Sequence, residues 1–73
     1  MKVGTLVRNR YAIPRPCGNH ISPGHTGVVV AVREYALAQT PHRRDVWVDV
    51  ILTVDGQSVR RNSDHPGTFE AIA

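Results

Sequence analysis

One stretch in which every second residue is apolar constrains the fold of this chain more than any other feature. In residues 45–54 every second side chain is apolar: Val46, Val48, Val50, Leu52 and Val54. Because neighbouring side chains of a strand point to opposite faces, these residues predict a long β-strand with one core-facing side. Asp55-Gly56 follows, a preferred two-residue hairpin turn in which both residues take positive φ. We therefore predict a hairpin with a fourth strand at residues 58–62, in which Leu52 lies opposite Val59.

Shorter runs of β-branched residues predict the other strands. Residues 3–8 and 27–33 read as the first two strands, and residues 68–72 as a short fifth strand. Residues 63–67 before it predict a tight turn or one 3₁₀ turn. Alternation assigns further core positions to Val3, Val7, Val28, Val30, Val32, Phe69 and Ile72.

Two loops complete the predicted architecture. Residues 9–26 form a long irregular segment rich in proline and glycine, and residues 34–44 form a second loop before the long strand. The fold class that follows is all-β: a small, open five-stranded barrel with a long loop between its first two strands.

The length of the chain favours one small domain. We expect residues 1–73 to be a single β-barrel domain and a whole gene product, with a small core. The only cysteine, Cys17, excludes a disulfide within the chain. The sequence has neither the apolar core of a signal peptide nor a run near the ~20 apolar residues of a membrane span, so we expect a cytoplasmic protein.

The second face of the long strand is unusual for a small barrel. It carries Trp47, Asp49, Ile51 and Thr53, and a strand with apolar residues on both faces is normally covered on both. The long loop, another subunit or a ligand would each provide such a cover.

Glycine and valine spacing around the first strands resembles that of a KOW-type module. The residues concerned are Gly4-Thr5-Leu6-Val7-Arg8 and Pro23-Gly24-His25-Thr26-Gly27-Val28-Val29-Val30, followed at the end by Phe69-Glu70-Ala71-Ile72. In these features the chain is similar to small Src-homology-three-like β-barrel proteins of phage and bacterial genomes. The resemblance implies a barrel and a binding role, toward RNA or protein.

Three residues of the long loop suggest a metal hypothesis. Cys17, His20 and His25 are of the types that zinc prefers, but a second close pair of ligands is missing. A solvated loop with an incidental thiol is the simpler interpretation. A nearby histidine could pair with the thiol, but no residue pattern supplies an orienting residue or an oxyanion site. We predict no enzyme activity, no cofactor and no metal, with zinc on these residues as the alternative.

Arginine dominates the positive charge and suggests a nucleic-acid surface. The net charge is +3, and eight of the nine basic residues are arginine, whose planar guanidinium suits phosphate and carboxylate groups. Arg43 and Arg44 precede the long strand, while Arg60 and Arg61 lie on the fourth strand. An RNA- or DNA-binding surface would need these groups on one side with aromatic residues nearby. Alternatively, Asp49 pairs with a neighbouring arginine and the charges only solvate the barrel.

Protein docking competes with nucleic-acid binding for the same face. Trp47, Ile51 and Asp49 form the candidate interface, since tryptophan is enriched at interface hot spots. We therefore predict a non-enzymatic binding or assembly module that acts through protein–protein contact or self-association into a homo-oligomer. RNA or DNA binding through the arginines is the alternative.

Overall fold

The turn at Asp55-Gly56 sets the register of the sheet. It joins β3 (Thr40–Val54) to β4 (Gln57–Asp64), and its two residues have φ of 52° and 77°. These positive angles match the twist of a two-residue hairpin. Leu52 lies opposite Val59, so the predicted register is confirmed.

All strands are antiparallel and belong to one open sheet. The computed structural model describes residues 1–15, 18–37 and 40–72, and for residues 36–37 and 40–44 only the backbone is described. The remaining strands are β1 (Leu6–Asn9), β2 (Thr26–Leu37) and β5 (Phe69–Ala71), in the order β4-β3-β2-β1-β5 across the sheet. The predicted fold class is confirmed. Among the described residues, no helix is long and apolar enough to cross a membrane.

The core lies on one face of this sheet and is almost wholly aliphatic. Its buried members are Val7, Ile13, Ile21, Val29, Val48, Val50, Leu52, Val54 and Phe69. The prediction for β3 is confirmed at four positions, with Val46 half-buried. Two predicted members near the ends of the chain are wrong: Val3 is 64% exposed and Ile72 is 42% exposed. Val3 lies in a turn before β1, where Gly4 has a φ of +91°.

A β-bulge changes which valines of β2 face the core. Val29 pairs with Val50 and Ala31 with Asp49, so Val30 is an extra residue without a partner. An extra residue reverses the alternation beyond it. Val29 is therefore fully buried and Val32 packs against the core, whereas Val28 faces outward. The predicted core positions of Val28 and Val30 are wrong for this reason.

The predicted loop at residues 34–44 is mostly strand. β2 continues to Leu37 and β3 begins at Thr40, so the two strands extend their hairpin past the pair Arg33–Trp47. β1 and β4 do not reach this part, which is a two-stranded ribbon. The ribbon makes the molecule elongated: its radius of gyration is 13.0 Å, against about 11 Å expected for a compact chain of this length.

Asn9 at the end of β1 fastens the long loop to the sheet. Its side chain is 1% exposed. Its Nδ2 donates to the carbonyl oxygens of Tyr11 (3.0 Å) and Ser22 (2.8 Å), and its Oδ1 accepts from the His25 N–H (2.8 Å). One amide thus holds both ends of the loop in place.

Candidate protein-docking surface

Three side chains on the outer face of β3 meet three different surroundings. Trp47 is half-buried, and its ring packs edge-on against His65 with 6.0 Å between centroids. His65 lies at the start of the 3₁₀ turn Pro66–Thr68, where its Nδ1 accepts a hydrogen bond from the Gly67 N–H. The turn before β5 therefore covers much of the tryptophan.

Asp49 is buried beneath two arginines. Its carboxylate is 1% exposed and accepts hydrogen bonds from both Nη atoms of Arg33, at 3.1 and 2.8 Å. Nη2 of Arg60 lies 3.6 Å from Oδ2, and the Ser63 N–H donates to Oδ1 at 2.8 Å. A bulge in β4 opposite Asp49 places Ser63 at this position, with a φ of +55°. The alternative that Asp49 pairs with a neighbouring arginine is confirmed.

Ile51 lies in an open apolar concavity that we call the outer groove. Ile51 pairs across the sheet with Val28, and Val28 pairs with Leu6, so the three form a row over β3, β2 and β1. The groove has a volume of about 480 Å³ and is lined by Leu6, Thr26, Gly27, Val28, Ile51, Thr53, Ser58 and Ile72. Leu6 and Ile72 are 46% and 42% exposed. This concavity can receive apolar side chains of another molecule.

The described part of the long loop, residues 9–15 and 18–26, packs on the core face and not over the outer face. Its Ile13 and Ile21 pair with each other by two backbone hydrogen bonds and are buried in the core, on the opposite face of the sheet. Irregular backbone can reach the core here because its polar groups are bonded to one another and to Asn9. The cover of Trp47 and Asp49 comes from the β4 side instead, and Ile51 stays accessible in the outer groove.

The structure places Arg60 and Arg61, two of the arginines predicted to bind nucleic acid, on opposite faces of the sheet. Arg60 pairs with Ile51 on the outer face, whereas Arg61 is opposite Val50 on the core side. Arg61 donates from Nε and Nη2 to the carboxylate of Asp64, at 3.1 and 3.3 Å. The side chains of Arg43 and Arg44 lie outside the described part, so their contribution stays a prediction.

The candidate zinc ligands are only partly described. His20 is exposed and His25 is half-buried, and Cys17 lies outside the described residues. Within residues 1–15, 18–37 and 40–72, no three metal-ligating side chains of the His, Cys, Asp and Glu types cluster together. The zinc alternative therefore stays a prediction that depends on Cys17.

Sequence reasoning missed several residues of this surface. Arg33 was expected only as the end of a strand, yet it makes the closest ion pair with Asp49. Leu6 carried no assignment, while Val28 and Ile72 were expected in the core. The sequence did contain a signal for this ion pair. Because β2 and β3 are adjacent antiparallel strands, a charged side chain on β2 such as Arg33 can reach an opposite charge on β3. The outward position of Val28 depends on the bulge, which valine repeats do not reveal.

Comparison with known proteins does not assign the surface. No protein-family model matches the chain, and neither a curated protein nor a solved structure is significantly similar to it.

Proposed function

We propose that this chain is a non-enzymatic binding module that docks a protein on the outer face of its sheet. The observation that supports this most directly is the outer groove, where Leu6 and Ile72 expose nearly half of their side chains beside Val28 and Ile51. Clustered apolar side chains in contact with water favour an interaction site, because covering them gains about 25 cal/mol per Å² of apolar surface.

The lining of the groove favours binding over catalysis. Its eight residues are aliphatic, hydroxyl-bearing or glycine, and none carries a titratable side chain. Acid–base and nucleophilic catalysis need such a group within reach of the substrate. Ser58 and two threonines supply only hydroxyls, without a base among the lining residues.

Nucleic-acid binding receives less support from the described residues. Arg60 and Arg61 lie on opposite faces, and each is near a carboxylate that already offsets part of its charge. A phosphate-binding surface needs several arginines on one side. The resemblance to KOW-type modules is compatible with either partner, and the apolar groove supports a protein.

Site-specific crosslinking in the native host tests the proposal. A photoreactive residue, p-benzoylphenylalanine, replaces Ile72 inside the groove or, as a matched control, the exposed Val3 outside it. We expect a discrete protein adduct from position 72 that falls at least about tenfold when Leu6→Arg is added, because a buried charge opposes docking. An adduct of twice the chain mass would identify the partner as a second copy.

Two outcomes would contradict the docking proposal. Equal adducts from positions 3 and 72 would mean that contact is not specific to the groove. Nuclease-sensitive adducts alone would assign the face to nucleic acid. Leu6 is 46% exposed, so the Leu6→Arg chain is expected to fold, and its circular dichroism and unfolding midpoint serve as the check.

A further inference from the structure

The outer groove has a charged neighbour on the same face. Arg33 and Arg60 both approach the single carboxylate of Asp49, at 2.8 and 3.6 Å. One buried negative charge thus faces two positive charges, and the pair of arginines retains an excess charge of +1. We call Arg33 and Arg60 the arginine pair.

The arginine pair is accessible where its carboxylate is not. The side chains of Arg33 and Arg60 are 44% and 53% exposed, while Asp49 is 1% exposed. A ligand that approaches from solvent therefore meets guanidinium groups and not the carboxylate. Each guanidinium has five N–H donors, and those that point away from Asp49 suit a carboxylate of a ligand.

The distance between groove and arginine pair matches the repeat of an extended peptide. Ile51, in the groove, and Asp49, under the arginine pair, are two residues apart on the same face of β3. Such positions are separated by about 6.6–6.8 Å. An extended segment that runs along β3 repeats its own side chains at the same interval, so residues i and i+2 reach the two places together.

The size of the groove favours a segment over a second copy of the chain. A stable dimer buries about 800 Å² on each partner and involves roughly 20–30 residues a side. The groove has eight lining residues, far fewer than such an interface involves, and therefore suits a short segment. In addition, two copies with a net charge of +3 each repel one another.

We propose that the outer groove and the arginine pair together bind an extended polypeptide segment that carries an apolar side chain and a carboxylate two residues apart. The apolar side chain fills the groove between Leu6, Val28 and Ile51, and the carboxylate binds Arg60 and Arg33. This inference rests on the proposed docking function and adds the chemistry and spacing of the partner.

Titration with synthetic peptides, monitored by NMR of the ¹⁵N-labelled chain, tests the proposed recognition of an apolar side chain and a carboxylate. The probes are serine- and threonine-rich nonapeptides with leucine and glutamate two positions apart, leucine and glutamate adjacent, or leucine and lysine two positions apart. We expect the first to bind about 3- to 5-fold more tightly than the others, the ratio for an exposed ion pair of up to ~1 kcal/mol. The amides of Val28, Ile51 and Arg60 should shift.

Two matched arginine variants distinguish a specific role of Arg60 from the effect of net charge. Arg60→Gln should remove the preference for glutamate over lysine, whereas Arg10→Gln, which lowers the net charge equally, should keep it. Arg10 lies over the ring of Tyr11, 5.5 Å from its centroid, and is not a lining residue of the groove. Arg33 retains its two bonds to Asp49 in the Arg60→Gln chain, so folding should be preserved.

The results distinguish this inference from the docking proposal beneath it. Equal affinity for all three peptides, with shifts confined to the groove, would overturn the carboxylate and spacing requirement and leave docking supported. Absence of groove shifts with every peptide at millimolar concentration would overturn the inference, while crosslinking from position 72 would still test docking separately. A salt-stabilised dimer in light scattering, dissociated by Leu6→Ser, would replace the segment with a second copy.

Discussion

Replacing Asn9 with aspartate would remove two hydrogen bonds without changing the size of the side chain. The Asn9 Nδ2 donates to the carbonyls of Tyr11 and Ser22, and in Asn9→Asp an oxygen faces both carbonyls. Removing the donor from a part-buried carbonyl and placing an acceptor against it costs about 1–3 kcal/mol for each carbonyl. We therefore expect a loss of about 4 kcal/mol in the free energy of unfolding, a large part of the roughly 4–11 kcal/mol typical of a 73-residue domain.

Urea unfolding with linear extrapolation measures this loss directly. The matched control is Asn19→Asp, the same chemical change at an exposed position of the same loop, which should shift stability by no more than about 0.5 kcal/mol. If the two variants unfold within about 1 kcal/mol of each other, Asn9 does not fasten the loop and its three side-chain hydrogen bonds contribute little.

Three further substitutions test the packing of the sheet, each by urea unfolding. Gly27→Ala should cost about 3 kcal/mol or more, since its Cβ would lie 2.9 Å from the Cα of Leu52, whereas Gly67→Ala should be nearly neutral; equal effects would refute the close approach of β2 and β3. Ile21→Ala should cost about 2–5 kcal/mol if the long loop is part of the core, and a surface-like loss below about 0.5 kcal/mol would contradict its burial. Asp49→Asn should cost about 2 kcal/mol through weakened charged hydrogen bonds, and unchanged stability would show that the carboxylate is not stabilised by its arginines.

Local signals predicted the β3–β4 hairpin, because they lie in consecutive residues. Asp55-Gly56 requires positive φ whatever the rest of the chain does, and the alternation of Val48, Val50 and Leu52 needs only one buried face. The same reasoning failed on β2, where the five consecutive apolar residues 28–32 fit either register. The bulge at Val30, which decides between them, depends on pairing with β3.

The long loop could not be predicted, because its burial depends on contacts between residues that are distant in the sequence. Ile13 and Ile21 have no periodic neighbours that would predict burial, and their place in the core depends on hydrogen bonds that Asn9 makes across 13 and 16 residues. The two-stranded ribbon beyond Arg33 was also not predicted from the sequence. Local sequence favours a loop over residues 34–44, yet pairing of β2 with β3 overrides this local preference.

The proposed docking surface on the outer face of β3 was narrowed by comparing what covers each of its side chains. The sequence predicted a cover for Trp47 and Ile51, and a candidate interface that also included Asp49. The structure supplies separate local solutions: an aromatic contact from His65 for Trp47, and two arginines with a backbone N–H for Asp49. Only Ile51 lacks a comparable cover and lies instead in an open groove. The Asp49 network also leaves two guanidiniums partly exposed beside that groove. The pairing that offsets the cost of burying the carboxylate therefore leaves the excess positive charge that the proposed partner would bind.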